Sequence, residues 1–299
     1  MTQTNPKKRL KRFEVTKDRK VPFRMQDRDR EIIKHVHDNR FLTTKLISLL
    51  VGSSEQVTRT RLMKLFQNKY IDRKKGEHNK STVYYLVDKA YKEVLNLYWG
   101  IEKPSARMAE KNRGVTYDPF LNHELLIAKI RVTLTLALRN RQDASLAEWI
   151  PDKEKTNEYT VIGEGGREQS RTFAPDSFIT IRVDDQDIFF FLEADRHTKD
   201  NERFRKQMRK YWEYRSAWRE EMGTDEDGHH FGFRVLVVAL SDAKVNNLRK
   251  VTKEATDNKS GSPMYWFTSE TKFNPEDPET ILKPIWQTPK DDTFHSLLE

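Results

Sequence analysis

The fold of this chain is decided by residues 175–195, which read PDSFITIRVDDQDIFFFLEAD. Two runs rich in β-branched and aromatic residues, Ser177 to Val183 and Ile188 to Asp195, lie on either side of the polar segment 184–187. Such runs favour β-strands, and a short polar break between them predicts a β-hairpin. The hairpin carries acidic residues close to the ends of its strands.

The pairing of these strands decides whether three carboxylates meet. If Val183 pairs with Ile188 across an even-numbered turn, Asp176 lies opposite Asp195, and Glu193 shares their face. Opposed like charges about 5 Å apart are costly unless a cation or a shared proton lies between them. Oxygen ligands of this kind suit Mg²⁺ or Mn²⁺. A one-residue slip in register would instead give a polar hairpin end in solvent.

The composition is typical of a folded protein with a highly charged surface. The 299 residues suggest two domains, 34% of them are charged, and 16 Phe, 10 Tyr and 6 Trp are available for a core. The absence of cysteine excludes disulfides and thiolate zinc sites and is compatible with the cytoplasmic location that we expect. No apolar run approaches about 18 residues, so we expect neither a membrane span nor a secretory signal.

The positive charge is concentrated in the first part of the chain. The net charge is +9; residues 1–24 carry 9 basic and 2 acidic side chains, residues 25–98 carry 15 and 9, and the remainder carries 31 and 35. A basic arm followed by a basic domain is typical of a protein that binds the phosphate backbone of DNA. We therefore expect residues 1–24 to form a flexible DNA-binding arm, although a solubilising tail is the alternative. The arm candidates are Lys7, Lys8, Arg9, Lys11 and Arg12.

Residues 25–98 are predicted to form a winged helix-turn-helix domain. Hydrophobic periodicity predicts helices over Asp27 to Asn39 and over Leu42 to Leu50. The serines at 53–54 are suited to cap a third helix that ends near Asn68. In this order of elements the third helix is the recognition helix, which enters the major groove.

The DNA-contacting side chains of this domain are expected on two of its elements. Gln56, Arg59, Thr60 and Lys64 lie on the outer side of the third helix, where they could reach base edges or phosphates. The runs 70–73 and 82–87 predict a hairpin whose basic tip is a wing that contacts the DNA backbone. The wing candidates are Arg73, Lys74, Lys75 and Lys80. Winged helices also mediate protein contacts, which is the alternative interpretation.

The remainder of the chain predicts a linker and a second domain. Residues 99–118 are polar and contain Pro104 and Gly114, as expected of a linker. Residues 119–299 are predicted to form an α/β domain with a mixed central sheet flanked by helices. Besides the hairpin, the expected elements are a helix from Asp118, helices over 198–222 and 243–256, and strands over 233–240 and 264–268. Residues 150–172 are expected to be a loop with one short strand.

The second domain resembles the PD-(D/E)xK nuclease superfamily over residues 119 to about 270. The resemblance implies that Glu124, Asp176 and Glu193 occupy the metal-binding positions, with Mg²⁺ or Mn²⁺ as the cofactor. Some members of the superfamily carry Gln-x-x-x-Tyr on the next helix, and Gln207 and Tyr211 match that pattern.

One position departs from the superfamily pattern. The superfamily has a lysine that activates the attacking water where this chain has Asp195, which could hold a metal ion but cannot supply that positive charge. The resemblance implies that Arg196, Lys206 or Lys210 could compensate. The catalytic candidates are thus Asp176, Glu193, Asp195, Arg196 and Lys206, and the metal candidates are Glu124, Asp176, Glu193 and Asp195.

Residues 25–220 as a whole resemble the replication-relaxation family. The resemblance rests on a predicted winged helix, a linker, and the pattern formed by Pro175, Asp176, Glu193, Asp195, Arg196 and Thr198. It implies a role in the replication, relaxation or mobilisation of DNA on a plasmid, phage or other mobile element.

The leading functional hypothesis is a DNA-binding accessory protein whose nuclease-like domain does not cut. Its expected partners are double-stranded DNA and replication or mobilisation proteins, with no membrane partner, and the sequence is compatible with a homo-oligomer. A metal-dependent DNA endonuclease or nickase is the first alternative. A winged-helix transcription regulator is the second.

Overall fold

A computed structural model describes residues 23–74, 81–102, 118–152, 156–196, 200–224, 228, 230–256, 258 and 260–299. The contacts within the chain divide it into two units, Met1–Ala128 and Lys129–Glu299. Most of the predicted arm and linker lies outside the described residues, as does the predicted wing tip. The same holds for the candidates Lys7, Lys8, Arg9, Lys11, Arg12, Lys75 and Lys80.

The first unit begins with a set of helices and a three-stranded antiparallel sheet in the order β1-β3-β2. Its elements are α1 (Asp27–Asn39), β1 (Leu42–Thr43), α2 (Thr44–Leu50), α3 (Glu55–Gln67), β2 (Ile71–Lys74) and β3 (Val83–Leu86). A helical segment follows, with α4 (Asp88–Ala90), a π-helical turn (Tyr91–Leu95) and α5 (Asn96–Trp99). All three predicted helices are present, but the second begins later than expected. Thr43 is extended, and its side chain accepts a hydrogen bond from the N–H of Leu46, so it caps α2.

The recognition-helix candidate α3 is attached to α1 by a buried ion pair. Nε of Arg61 donates to Oδ1 of Asp29 at 2.7 Å, and Nη2 of Arg61 contacts Oδ2 of the same carboxylate. Asp29 is fully buried, and its carboxylate also accepts from the N–H of Gln26 at 2.8 Å, which caps α1. Nη2 of Arg61 also donates to the carbonyl of Arg24 at 3.3 Å. The carboxylate of Asp29 therefore joins the start of α1 to the inner side of α3, and Arg61 also holds the chain that enters α1.

The second unit is built on a seven-stranded mixed sheet in the order β12-β11-β10-β9-β8-β7-β4. The strands β8, β9 and β10 run parallel, and the other pairs are antiparallel. The bounds of the sheet strands are β4 (Ala144–Pro151), β7 (Ser177–Val183), β8 (Gln186–Asp195), β9 (Phe233–Ala239), β10 (Tyr265–Ser269), β11 (Trp286–Gln287) and β12 (Phe294–His295). The long helices are α6 (Asp118–Leu138), α7 (Asn201–Met222) and α8 (Asp242–Ala255).

The boundary between the units falls inside α6, later than the predicted domain start at residue 119. In the first unit, Phe120, Leu121 and Leu125 of this helix pack against a small core that contains Phe41 and Tyr85. The first half of α6 therefore contributes apolar surface to the first unit.

The prediction of a loop with one short strand over 150–172 is wrong, because the segment contains the end of β4 and two further strands. The strands β5 (Asn157–Ile162) and β6 (Glu168–Phe173) form a separate antiparallel ribbon. Tyr159 and Phe173 bury their rings in the aromatic core beside α7, and the hydroxyl of Tyr159 donates to Glu213 at 3.0 Å. Two anchoring aromatics among polar residues give too little hydrophobic alternation for sequence reasoning to detect these strands.

The main core lies between one face of the sheet and the helices α7 and α8. Phe191, Val235 and Phe267 from three adjacent strands pack against Met208 and Trp218 of α7. A helix long and apolar enough to cross a membrane was not found among the described residues.

Asp29→Ala should lower the free energy of unfolding of the first unit by about 3–5 kcal/mol, because it leaves Arg61 buried without its carboxylate. Asp27→Ala is the matched control, since Asp27 pairs with Arg30 but its side chain is 90% exposed. The control should cost less than about 1 kcal/mol. Hydrogen exchange of the α1 and α3 amides in the full chain measures both values. Equal losses in the two variants would contradict the assigned role of Asp29.

Candidate functional site

The β7–β8 hairpin has a tighter turn than the sequence predicts. Val183 pairs with Gln186 rather than with Ile188, so the turn consists of Asp184 and Asp185 alone. Asp184 has a φ of 50°, in the region that two-residue hairpin turns require. The register therefore differs from the predicted one by an even number of residues. Because side chains alternate along a strand, an even shift leaves each residue on its predicted face.

Asp176 and Glu193 lie side by side where the two strands separate. The N–H of Asp176 donates to the carbonyl of Leu192 at 3.0 Å, which continues the strand pairing by one residue. Oδ2 of Asp176 accepts a hydrogen bond from the N–H of Ala194 at 2.7 Å. Asp176 is half-buried, and Glu193 is only 2% exposed. The first carboxylate thus supports the backbone that carries the second.

Two side chains of α7 hold the carboxylate of Glu193. The hydroxyl of Tyr211 donates to Oε1 at 2.7 Å, and Nε2 of Gln207 donates to the same oxygen at 2.8 Å. Burial raises the pKa of Tyr211 well above its usual value, and the negative charge of Glu193 raises it further. Tyr211 therefore remains protonated and keeps donating. The Gln-x-x-x-Tyr spacing of the sequence brings both donors to one acid because residues four apart share a helix face.

Asp195 faces a lysine that sequence reasoning missed. Nζ of Lys244 lies 4.0 Å from Oδ2 of Asp195, and both side chains are largely shielded from solvent. Lys244 is in the first turn of α8, far from Asp195 in sequence. The strand order explains the contact: parallel pairing places Asp195 next to Ala239, and a helix begins a few residues after that strand ends. Residues at the start of α8 therefore lie at the carboxyl edge of β8.

The other basic candidates of this unit have partners elsewhere. Nη1 of Arg196 lies 3.4 Å from Oε2 of Glu270. Lys206 is 73% exposed and lies 3.6 Å from Glu202. Nζ of Lys210 donates to the carbonyl of Thr172 at 3.1 Å.

Glu124, the remaining metal candidate, pairs with a cation of the first unit. Its Oε1 lies 3.0 Å from Nη1 of Arg40, and both side chains are mostly buried. The guanidinium of Arg40 also lies over the rings of Phe41 and Phe120. Asp176, Glu193 and Asp195 are the predicted acids that the second unit brings to one edge of its sheet.

These acids do not fit a metal centre well. Within the described ranges, no group of three or more His, Asp or Glu residues is arranged to hold a metal ion. Carboxylate oxygens suit Mg²⁺ in type. However, Glu193 accepts from Tyr211 and Gln207, Asp176 accepts from a backbone N–H, and Asp195 faces an ammonium group. Protein groups thus already donate hydrogen bonds to Asp176 and Glu193, and a lysine lies at the outer limit of ion-pair distance from Asp195.

The predicted DNA-contacting residues of α3 lie on its outer side. Gln56 is exposed, and Arg59 makes an exposed contact with Glu55 at 3.5 Å. Thr60 and Lys64 are half-exposed on the same side. At the start of the predicted wing, Arg73 stacks over the ring of Phe66 at 5.2 Å, and burial lowers the pKa of Lys74 below its usual value.

The profile of the replication-relaxation family matches residues 33–226, which is more than half of the chain. The chain belongs to the replication-relaxation family. The match extends from α1 of the first unit to just beyond α7, so this replication-relaxation protein carries the acidic edge, Gln207 and Tyr211 inside the family region. Lys244 lies beyond it.

Solved structures give only a distant likeness for this replication-relaxation protein. The restriction endonuclease FokI bound to DNA is similar at 11% identity, with a TM-score of 0.25, over 82% of this chain and 43% of that one. The restriction endonuclease FokI in a second structure gives 10% identity and a TM-score of 0.26, over 84% and 43%. The chain thus spans less than half of these structures, and such TM-scores do not establish a shared fold. No curated protein matches the sequence.

Tyr211→Phe should lower the free energy of unfolding of the second unit by about 1.5–3 kcal/mol, because a buried carboxylate loses a donor. Tyr214→Phe is the matched control on the same helix, since its hydroxyl reaches the exposed Glu221 at 3.3 Å and water can replace it. The control should cost about 0.5–1.5 kcal/mol. Chemical denaturation of each full-length variant measures the difference, and a larger loss for Tyr214→Phe would contradict the assigned role of Tyr211.

Proposed function

We propose that this replication-relaxation protein is a DNA-binding accessory protein that engages duplex DNA through its first unit. The observation that carries the proposal is the outer side of α3, where polar and basic side chains stand free of the core. The order of elements, α1-β1-α2-α3-β2-β3 with β3 between the other strands, supports a winged helix-turn-helix.

The helix α3 is suited to present these side chains rigidly. Thr58, Leu62 and Leu65 are buried on its inner side, and Arg61 holds the carboxylate of Asp29. The opposite side carries Gln56, Arg59, Thr60 and Lys64, at spacings of three, one and four residues that keep them together on a helix. A rigid helix with an exposed arginine and lysine is matched to base edges and phosphates in a major groove.

The β2–β3 hairpin and the arm would add contacts to the DNA backbone. Arg73 is ordered by stacking on Phe66 and lies on β2, which leads to the basic residues of the predicted wing tip. The ring of Phe23 packs at a tilt against that of Tyr70, with the ring centres 5.7 Å apart, and lies beside Arg61, so the arm would leave the unit next to α3. Contacts of this kind give affinity and salt dependence rather than sequence preference.

The family supports a role in DNA replication or relaxation, and we propose that this role is exercised on a plasmid, phage or other mobile element in the cytoplasm. The second unit would hold DNA, or recruit replication or mobilisation proteins or a second copy, without cutting. The internal contacts of Asp176, Glu193 and Asp195 support this division of labour.

Arg59→Ala and Lys64→Ala should each weaken binding to duplex DNA by about tenfold, because each removes one contact worth roughly 1–3 kcal/mol. Lys92→Ala, which removes an exposed lysine outside α3 and the hairpin, should leave the affinity unchanged. Fluorescence anisotropy at fixed salt measures these affinities. Full affinity in both α3 variants would overturn the proposed DNA interface.

Deletion of residues 1–22 should weaken DNA binding and flatten its dependence on salt, because fewer counterions are released per complex. The deletion keeps Phe23, which packs on Tyr70, so the first unit should retain its stability. Affinities measured across a series of salt concentrations test this. An unchanged slope would show that the arm does not contact DNA.

Supercoiled plasmid should remain intact with the protein and Mg²⁺ or Mn²⁺. Gel electrophoresis after long incubation measures nicking and relaxation, and Asp176→Ala is the control for contaminating nuclease. Relaxation by the unaltered protein that Asp176→Ala abolishes would overturn the non-cutting role and make the second unit a metal-dependent endonuclease or nickase.

A further inference from the structure

We infer that Lys244 takes the electrostatic place of a metal ion at the acidic edge of the second unit, so that the site is complete without a bound cation. This inference rests on the proposed non-cutting role. It identifies Lys244 as the group that stabilises the acidic edge without a metal ion.

The contact between Lys244 and Asp195 is shielded from water. Asp195 is only 3% exposed, and Nζ of Lys244 lies 4.0 Å from its Oδ2. A buried carboxylate remains ionised only if a cation or strong donors lie close to it. Strand pairing with Ala239 fixes the backbone of Asp195, and the side chain of Lys244 approaches the carboxylate from α8.

The start of α8 holds the lysine in this position. Oγ of Ser241 caps the helix and accepts from the N–H of Lys244 at 3.3 Å. The hydroxyl of Ser269, at the end of β10, donates to Oδ1 of Asp242 at 2.6 Å. The first turn of α8 is thus tied to the carboxyl ends of the parallel strands, and Lys244 extends from that turn to Asp195.

The remaining acids of the site already have donors. Glu193 accepts from Tyr211 and Gln207 through one oxygen, and Asp176 accepts from the N–H of Ala194. A divalent cation placed among these groups would compete with the donors and would be repelled by the ammonium of Lys244. Repulsion between like charges is strong where water is largely excluded.

Thermal unfolding of the full chain with and without Mn²⁺ tests the inference. The unaltered protein should show the same Tm with Mn²⁺ and with EDTA. Lys244→Met should lower the Tm by about 6 °C or more, because it removes the cation that faces the buried carboxylate of Asp195, and Mn²⁺ should restore part of the loss. Lys272→Met is the matched control, because Nζ of Lys272 lies 3.3 Å from Oδ2 of Asp242, an exposed carboxylate. We expect neither a large change in its Tm nor a response to Mn²⁺.

A double variant keeps the test decisive if Lys244→Met does not fold. Adding Asp195→Asn removes the charge that needs the lysine, so the double variant should fold and should recover most of the Tm lost by Lys244→Met. Failure of Asp195→Asn to recover stability would overturn the inference, as would a Lys244→Met protein with an unchanged Tm.

The outcomes separate this inference from the proposed function. Stabilisation of the unaltered protein by Mn²⁺ that Asp176→Ala abolishes would overturn the role of Lys244. If plasmid remained intact in that case, the proposed accessory function would stand. If Arg59→Ala and Lys64→Ala both bound DNA with full affinity, the proposed DNA interface would be overturned. The Tm results for Lys244 would be unaffected.

Discussion

The pairing of β8 with both of its neighbours is the constraint on which the second unit depends. Antiparallel pairing with β7 sets Asp176 beside Glu193, and parallel pairing with β9 brings the start of α8 to Asp195. Both pairings use the same strand, so they fix the acids relative to α7 and α8 at once. The aromatic and aliphatic side chains on the face of the sheet that α7 and α8 cover then shield the acids from solvent. Each acid therefore needs a protein donor or cation close by.

Much of this arrangement could be predicted from local patterns. The runs that became β7, β8 and β9, and the stripe that became α7, have periodicities that identify their elements. The predicted turn of the hairpin was wrong, but the acids still share one face because the register shifted by an even number of residues. Local patterns could not predict two contacts that join residues far apart in sequence: Lys244 with Asp195, and Arg61 with Asp29. Their identification required the strand order and the helix packing.

Each of the two units contains a buried aspartate that faces a cation from a helix. In the first, Arg61 neutralises a buried aspartate and thereby fixes α3, the proposed DNA-reading helix. In the second, Lys244 faces a buried aspartate at the end of β8. Both cations lie on helices and both acids lie at the ends of other elements, so each pair links two parts of its unit. An acid that is committed to such a link is poorly suited to bind and release a metal ion.

The acidic edge needs no metal ion if Lys244 supplies its positive charge. Titration of the full-length protein with Mn²⁺, followed by the electron paramagnetic resonance signal of the free ion, measures whether a metal site exists. We expect no saturable site in the unaltered protein and a new site in Lys244→Met. A single saturable site in the unaltered protein that disappears in Asp176→Ala would contradict this expectation.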